Sequence, residues 1–306
     1  MNTEDAIVVP SRPDEPPGSV GAIDMGSRNF KFVFGQRVDG IITTELVGKE
    51  RLELGKEVTE NNGLIGEKKI LQIQEALARF VCYCSDRGAS EVLAIATSAI
   101  RNARNHGRVI NMARETGLTI EVADGAREGE VGYLAATRGA SNMLVSDTGS
   151  KSTQIAWGIN GEIKARSVPV GYERAYESFL EPVCTFGEAE GQFRRFLDGN
   201  FTEIPETTDQ LIALAANKIA SFVTEDAQQT PHKTLTKNAL SGRLCALRML
   251  SESQFGDLKL SLSGVEKVLP GLIFLDYLME RSGHAQALVS KNELPVGLVV
   301  EFFLKR

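Results

Sequence analysis

One short motif occurs twice in this chain, and its repetition limits the folds that the chain can adopt. Asp-Met-Gly-Ser at residues 24–27 follows a predicted strand at 20–23, and Asp-Thr-Gly-Ser at residues 147–150 follows another at 142–146. Each motif is a short turn into a second predicted strand, and two strands joined by so short a turn must be antiparallel. Two copies of this unit, about 120 residues apart, indicate a duplicated domain with a cleft between the copies.

Predicted strands and helices alternate between the two turns. A strand at 91–97 precedes a helix at 99–115, and a strand at 119–123 precedes a helix at 128–137. Alternation of this kind implies crossover connections and a mostly parallel region of sheet. The remainder is predicted to be mainly helical, over residues 188–197, 207–224 and 265–281.

The composition is that of a globular protein with two domains. The chain has 306 residues, of which 42% are hydrophobic and 24% charged, and this usage excludes a disordered or fibrous chain. Residues 1–18 contain four prolines and little apolar surface, which predicts a flexible tail. We therefore expect domains at 19–138 and 139–306, with a last helix at 295–303 that is able to pack back onto the first domain.

Charge and hydropathy argue against several classes of partner. The 34 basic and 40 acidic side chains give a formal charge of −6, which disfavours nucleic acid and anionic membranes as partners. No apolar run reaches the roughly 18 residues that span a bilayer, and the N-terminus lacks a basic-then-apolar signal. We expect a cytoplasmic protein with no membrane and no nucleic-acid partner.

The chemistry of the repeated turn favours a phosphate site. Glycine lets a ligand approach the main-chain N–H groups closely, and consecutive N–H groups in a turn form a concave anion site. The serine hydroxyl adds a donor, and the aspartate is able to hold a divalent cation through water or to orient an attacking water. One such turn is weak evidence, but two at corresponding positions favour phosphate binding.

Several further motifs occur in a characteristic order between residues 21 and 303. They are Ala-Ile-Asp-Met-Gly-Ser at 22–27, Arg-Leu-Glu-Leu-Gly at 51–55, Ala-Thr-Ser-Ala-Ile-Arg-Asn-Ala at 96–103, Ser-Val-Pro-Val-Gly at 167–171, Val-Leu-Pro-Gly at 268–271 and Val-Ser at 289–290. In these motifs the chain resembles the exopolyphosphatase / guanosine pentaphosphate phosphohydrolase (Ppx/GppA) family of the actin-like ATPase superfamily. The resemblance implies two duplicated actin-like (ribonuclease H-like) α/β domains with an interdomain cleft.

The resemblance also implies a function and a partner. It predicts a homodimeric hydrolase that releases phosphate from polyphosphate or from a phosphorylated small molecule or nucleotide. Glu128 falls on the family's general base, which takes a proton from the attacking water, and Arg101 on an arginine near the transferred phosphate. Asp24 and Asp147 fall on the two turn aspartates, the candidate magnesium ligands. The implied phosphate-binding residues are Gly26, Ser27, Gly149, Ser150 and Ser152.

Without the resemblance, Glu128 and Arg101 have simpler explanations. An acid in the first turn of a helix is favoured by the helix dipole, and an arginine on a helix is commonly an exposed charge.

The chain departs from the family pattern mainly in the predicted site. Lys151 replaces a glycine of the second turn, and Gln154 replaces a glutamate that helps to hold magnesium, so binding of Mg²⁺ is expected to be weakened. Arg28 stands where asparagine is usual, and Arg243 lies in a segment, 241–245, that is expected to form a third turn. We predict that all three cations bind phosphate.

These departures leave two main hypotheses open. In one, hydrolysis is retained and the fixed cations replace the metal in neutralising phosphate charge. In the other, the site has drifted, and the protein is a catalytically impaired sensor or scaffold that binds phosphate or a nucleotide. A kinase-like activity is a third alternative. Bulky Arg243 and Leu244 argue against a purine pocket and favour a smaller or linear phosphorylated substrate.

Overall fold

The computed structural model describes residues 6–8, 18–206, 208–214, 216–223, 233–291 and 293–305. The strands are β1 Ala6–Val8, β2 Gly18–Met25, β3 Asn29–Val38, β4 Ile41–Arg51, β5 Glu91–Ala96, β6 Ile120–Val122, β7 Met143–Thr148, β8 Thr153–Ile159, β9 Glu162–Val168, β10 Gln210–Leu214, β11 Lys233–Thr236 and β12 Gln286–Ser290. The helices are α1 Leu54–Glu60, α2 Glu67–Asp86, α3 Ser98–Asn102, α4 His106–Glu115, α5 Gly125–Thr137, α6 Tyr172–Ala175, α7 Phe186–Asn200, α8 Asn217–Val223, α9 Lys237–Arg248, α10 Glu252–Ser261, α11 Val265–Ser282 and α12 Leu294–Leu304, and a π-helical turn, Tyr176–Leu180, follows α6.

The chain forms two compact units. Unit 1 holds the described residues up to Ala140 together with those from Glu293 onward, and unit 2 holds those from Ser141 to Lys291. The sheet of unit 1 has the order β1-β4-β3-β2-β5-β6. β2, β3 and β4 are antiparallel neighbours, while β5 and β6 run parallel to β2.

The sheet of unit 2 repeats this topology. Its order is β11-β12-β10-β7-β8-β9, and β7, β8 and β9 are antiparallel while β10 and β12 run parallel to β7. The series β4-β3-β2-β5-β6 therefore corresponds to β9-β8-β7-β10-β12. The predicted fold class, two duplicated α/β domains, is confirmed.

The two faces of the unit 1 sheet are covered by different helices. α2 presents an apolar stripe of buried residues to one face, and a side chain at Gly21 would collide with Cys84 of this helix. α12 contacts β2 and β3 from the other face, where a side chain at Gly35 would collide with Val299. Glycine at these two strand positions is what lets each helix approach the sheet closely.

The structure corrects several boundaries. Ala6–Val8, expected in a flexible tail, pairs antiparallel with β4, because a short apolar β-branched run is able to add to a sheet edge, and the rest of the predicted tail up to residue 17 lies outside the described residues. The last helix, α12, lies within the predicted range 139–306 but packs onto the first domain, as the sequence analysis allowed, and so belongs to unit 1. The helix predicted over 207–224 is β10 followed by α8, since the apolar run Gln210–Leu214 pairs with β7 and β12.

In the described part of the chain, no helix combines the length and the apolar character that crossing a bilayer requires.

Candidate active site

The first turn connects β2 to β3 and places Asp24 at the end of a buried strand. Asp24 is 6% exposed, and residues 26–28 follow it before β3 begins at Asn29. A side chain on Gly26 would lie 2.8 Å from the carbonyl oxygen of Asn29, so only glycine fits this position. The turn is thus compact and rests directly on the sheet.

The start of α1 holds the carbonyl groups of the first turn. The N–H of Gly55 donates to the carbonyl oxygen of Ser27 at 2.8 Å, and the N–H groups of Leu52 and Glu53 donate to that of Arg28 at 3.1 and 2.9 Å. With its carbonyl groups bonded to α1, the turn has a fixed conformation. The side chains reinforce this contact, since Arg28 Nε lies 3.4 Å from Glu53 Oε1.

The second turn has the same design at the end of β7. Asp147 precedes Gly149, whose N–H donates to the carbonyl oxygen of Ser152 at 2.9 Å and closes the loop. Ser150 and Lys151 lie between them, just before β8 begins at Thr153. The predicted phosphate-binding residues of each turn are therefore adjacent in their own unit.

α6 supports the second turn as α1 supports the first. The N–H of Tyr172 donates to the carbonyl oxygen of Gly149 at 3.0 Å, and that of Glu173 to Ser150 at 3.2 Å. A Cβ atom on Gly171 would lie 2.3 Å from the carbonyl oxygen of Gly149 and 2.4 Å from the carbonyl carbon of Ser150. The backbone at Gly171 is therefore packed directly against the turn.

Arg101 and Glu128 form an ion pair at the carboxyl ends of β5 and β6. Arg101 Nη1 lies 2.5 Å from Glu128 Oε1, and their side chains are 28% and 8% exposed. Arg101 also donates to the carbonyl oxygen of Ala123, the residue after β6. Asp124 caps α5 by accepting from the N–H of Arg127 at 2.8 Å, which fixes Glu128 in the first turn of that helix.

A pair of hydroxyl groups links this ion pair to the first turn. Ser27 Oγ and Ser98 Oγ lie 2.9 Å apart, and Ser98 begins α3, the short helix that carries Arg101. β2, β5 and β6 are parallel neighbours, so their carboxyl ends bring Asp24, the first turn, Arg101 and Glu128 to one edge of the sheet. Sequence reasoning did not single out Ser98 as a site residue, although it lies inside a quoted motif.

The donors around the two aspartates do not fit a magnesium ion. Lys31 is the strand partner of Asp24, and Gln154 is the strand partner of Asp147. Lys31 Nζ lies 3.8 Å from Asp24 Oδ2 and 3.2 Å from Glu293 Oε1. Gln154 Nε2 donates to the hydroxyl groups of Ser152 and Ser167.

Hard cations such as Mg²⁺ take oxygen ligands, carboxylates above all. Opposite Asp24, however, the chain places an ammonium, and opposite Asp147 it places a neutral amide in place of a carboxylate. Within the described ranges, no three His, Cys, Asp or Glu side chains lie together in an arrangement that could hold a metal ion.

Arg243 does not lie in a third turn, and that prediction is wrong. The segment 241–245 is inside α9, where Leu244 is fully buried and Ser241 Oγ donates to Asp276 Oδ1 at 3.2 Å. The Arg243 guanidinium donates to the carbonyl oxygen of Phe222 and stacks on its ring at 4.6 Å. With no loop at this position, the objection to a purine pocket based on Arg243 and Leu244 falls away.

A buried ion network explains why this segment is helical. Glu190 of α7 accepts from Arg248 of α9 at 2.7 and 2.8 Å and from Arg194 at 2.9 Å. Burial raises the pKa of Glu190, but these hydrogen bonds outweigh it and hold the pKa below its usual range. The network joins α9 to α7, and these tertiary contacts stabilise residues 237–248 as a helix.

Two units with the same five-strand core, each with a glycine turn after its first core strand, define a protein of the duplicated actin-like class. The model of the Ppx/GppA phosphatase family matches residues 35–302. The chain therefore belongs to this family, and the resemblance found in its motifs is confirmed. The matched range begins after the first turn.

Curated relatives are similar at low identity. Exopolyphosphatase 1 of Mycobacterium tuberculosis is 24% identical over 238 residues, covering 72% of this chain and 69% of that protein. Exopolyphosphatase 1 of Mycobacterium leprae is 25% identical over 61% of this chain and 57% of its own length. Guanosine-5'-triphosphate,3'-diphosphate pyrophosphatase of Vibrio vulnificus is 29% identical over 52% of this chain and 33% of that protein. The matched region thus spans little more than half of the M. leprae relative and a third of the Vibrio one.

Solved structures agree with the fold. The crystal structure of the Aquifex aeolicus Ppx/GppA family member has a TM-score of 0.81 at 23% identity, covering 95% of this chain and 99% of that one. An exopolyphosphatase from Cytophaga hutchinsonii has a TM-score of 0.72 at 20% identity, covering 94% and 98%. These likenesses establish the architecture.

Proposed function

We propose that this protein is a phosphohydrolase that releases phosphate from polyphosphate or from a phosphorylated small molecule or nucleotide. Glu128 is the general base that takes a proton from the attacking water, and Arg101 stabilises negative charge that develops on the phosphoryl group. The N–H groups of the two glycine turns, the hydroxyls of Ser27, Ser150 and Ser152, and the cations Arg28 and Lys151 bind phosphate oxygens.

The observation that carries this proposal is the Arg101–Glu128 pair at the sheet edge that also holds the first turn. A base must be ionised to accept a proton, and an adjacent guanidinium favours that form of a carboxylate. The names of the exopolyphosphatase and pyrophosphatase relatives point to the same reaction class.

Substitution of Glu128 by glutamine tests this role. Glutamine preserves the shape but cannot take a proton, so phosphate release should fall by about 10²–10⁴-fold, the usual contribution of general-base catalysis. Release is to be measured from polyphosphate, guanosine pentaphosphate and simple phosphomonoesters, with and without magnesium. Phosphate binding should be retained.

Glu130→Gln is the matched control, because Glu130 lies on the same helix with a 41% exposed side chain. Equal loss in both variants, or full release by Glu128→Gln, would contradict the proposal.

The alternative function is a catalytically impaired sensor or scaffold that binds phosphate or a nucleotide. The observation in its favour is that Lys31 and Gln154, rather than carboxylates, face the turn aspartates. It predicts phosphate binding by the wild-type protein without turnover of any of the substrates named above.

A further inference from the structure

We infer that each glycine turn is a metal-independent anion site in which a lysine or arginine, held by its own glutamate, takes the place of a bound cation. The inference rests on the proposed function and specifies how phosphate charge is neutralised. The cations are Arg28 and Lys151, and their glutamate partners are Glu53 and Glu173.

The two cations occupy the same position in the repeated motif. Arg28 is the fourth residue after Asp24, and Lys151 is the fourth residue after Asp147. Each therefore sits in the turn itself, beside the N–H groups and the serine hydroxyl that would contact an anion. A fixed ammonium or guanidinium in such a turn supplies both charge and donors to phosphate oxygens.

Each cation is paired with a glutamate from the helix entry that supports its turn. Arg28 Nε lies 3.4 Å from Glu53 Oε1, an oxygen that Arg51 Nε also contacts, and Lys151 Nζ lies 3.2 Å from Glu173 Oε2. The backbone N–H groups of the same two glutamates donate to the carbonyl groups of the turns. Burial raises the pKa of Glu53, but hydrogen bonds and charge from Arg51 and Arg28 outweigh it and lower the pKa below its usual range, so it stays a counter-ion at neutral pH.

The same chain positions disfavour a metal. Lys31 and Gln154, each seven residues after its aspartate, bring an ammonium and an amide to the aspartates instead of a second carboxylate. Neither side chain supplies a second carboxylate, so neither turn adds the acidic ligand that a hard cation prefers.

The glutamates set the strength of anion binding. All four side chains of the two pairs are 28–46% exposed, and an exposed ion pair changes a free energy by only a few tenths to about 1 kcal/mol. Removing the charge of Glu173 or Glu53 should therefore tighten phosphate binding by about two- to fivefold. Removing the cation should weaken binding by about tenfold, the scale of one charged hydrogen bond.

Calorimetric titration of the full chain with inorganic phosphate, in EDTA and again with magnesium, is the test. We expect binding in EDTA that changes by less than about twofold with magnesium. Lys151→Gln and Arg28→Gln should weaken phosphate binding, whereas Lys151→Arg should retain it. Glu173→Gln and Glu53→Gln should make phosphate binding tighter. In the Lys151→Gln background, Glu173→Gln should have no further effect, because its partner is gone.

Glu177→Gln and Glu60→Gln are the controls, since each removes one negative charge from the same region without touching a turn. The inference is overturned if phosphate fails to bind in EDTA, if Lys151→Gln binds as the wild type does, or if the controls tighten binding as much as Glu173→Gln and Glu53→Gln. Phosphate release assayed on the same samples separates the two proposals. Release that requires magnesium overturns this inference alone, whereas binding in EDTA without release from any substrate overturns only the hydrolase.

Discussion

Gly171 packs so closely against the second turn that no side chain fits at its position. The atoms that an added Cβ would meet, at 2.3–2.5 Å, are all backbone atoms of the second turn, and backbone cannot move aside as a flexible side chain can. We expect Gly171→Ala to destabilise unit 2 by about 1–3 kcal/mol, as overpacking does, and to weaken phosphate binding by displacing residues 149–151. Urea unfolding and phosphate titration measure the two effects.

Gly187→Ala provides the comparison for that variant. Gly187 lies in the first turn of α7, and an added Cβ would meet nothing within 4 Å. Alanine is a better helix former than glycine by up to about 1 kcal/mol, so this variant should be as stable as the wild type or more so. Unchanged phosphate binding in Gly171→Ala would show that the turn does not depend on its support.

The residues of the candidate site differ in how far the sequence reveals them. Arg28 and Lys151 directly follow the two repeated motifs, so a local comparison of the two turns finds them. Glu53 lies inside the motif at 51–55 and Glu173 lies outside the quoted motifs, but the role of each depends on which helix entry folds back onto each turn. Lys31 lies in β3, and its proximity to Asp24 follows from the pairing of β2 with β3. Its contact with Glu293 depends on the return of the end of the chain to unit 1.

At the scale of elements, the contact between α5 and α12 determines where Glu128 lies. Arg127, the residue before Glu128, donates two hydrogen bonds to Glu301 of α12, at 2.9 and 2.6 Å. A side chain at Gly297 would collide with the carbonyl oxygen of Val131, so the two helices touch backbone to backbone. Contacts with α12 thus hold α5, the helix that carries the proposed base Glu128, in its position.

Glu301→Gln tests this contact through its dependence on pH. Burial raises the pKa of Glu301, but hydrogen bonds and charge from Arg127 and Lys305 outweigh it and leave the pKa below its usual range. A carboxyl group with a lowered pKa in the folded state stabilises the protein above its unfolded pKa, about 4.3, and loses that effect as the pH falls through the folded value.

We expect Glu301→Gln to cost about 1–3 kcal/mol in the free energy of unfolding at pH 7. The difference from the wild type should shrink as the pH falls below about 4. Urea unfolding at a series of pH values measures it, with the exposed Glu60→Gln as control. A difference that grows on acidification would contradict this account of the pair.

Elements with a repeating pattern were predictable and those defined by tertiary contacts were not. The apolar stripe of α2 is visible in the sequence because it recurs at helical spacing. β10 was taken for part of a helix because a short apolar run fits either structure until its strand partners are known. The same holds for 241–245, where a Ser-Gly pair suggested a turn and the contacts of Ser241, Leu244 and Arg248 impose a helix.

At the scale of the whole molecule, unit 1 is built from two separate stretches of the chain. Its last helix, α12, buries eight residues from Pro295 to Phe303, and full burial of one large apolar side chain contributes about 1.5–3 kcal/mol. Six of the eight are large apolar side chains, and together they contribute about 9–18 kcal/mol, which is as large as the net stability of about 5–15 kcal/mol that is typical of a domain.

Ending the chain after Lys291 should therefore unfold unit 1 and spare unit 2, although the deleted residues follow unit 2 directly in sequence. Hydrogen exchange measured by mass spectrometry should show lost protection in β2, β3 and α5, with β7 and β10 still protected. A chain that ends after Leu304, which keeps α12, is the control. Equal loss of protection in both units would contradict the prediction that α12 stabilises unit 1 and not unit 2.

The split construction of unit 1 also has a consequence for biosynthesis. The sheet face around Gly35 is translated early, but the helix that covers it leaves the ribosome only after all of unit 2. At about 5–20 residues per second, translation from Gly35 to the start of α12 takes about 13–50 s. During that interval the nascent chain carries an uncovered apolar sheet face, the kind of surface that molecular chaperones recognise.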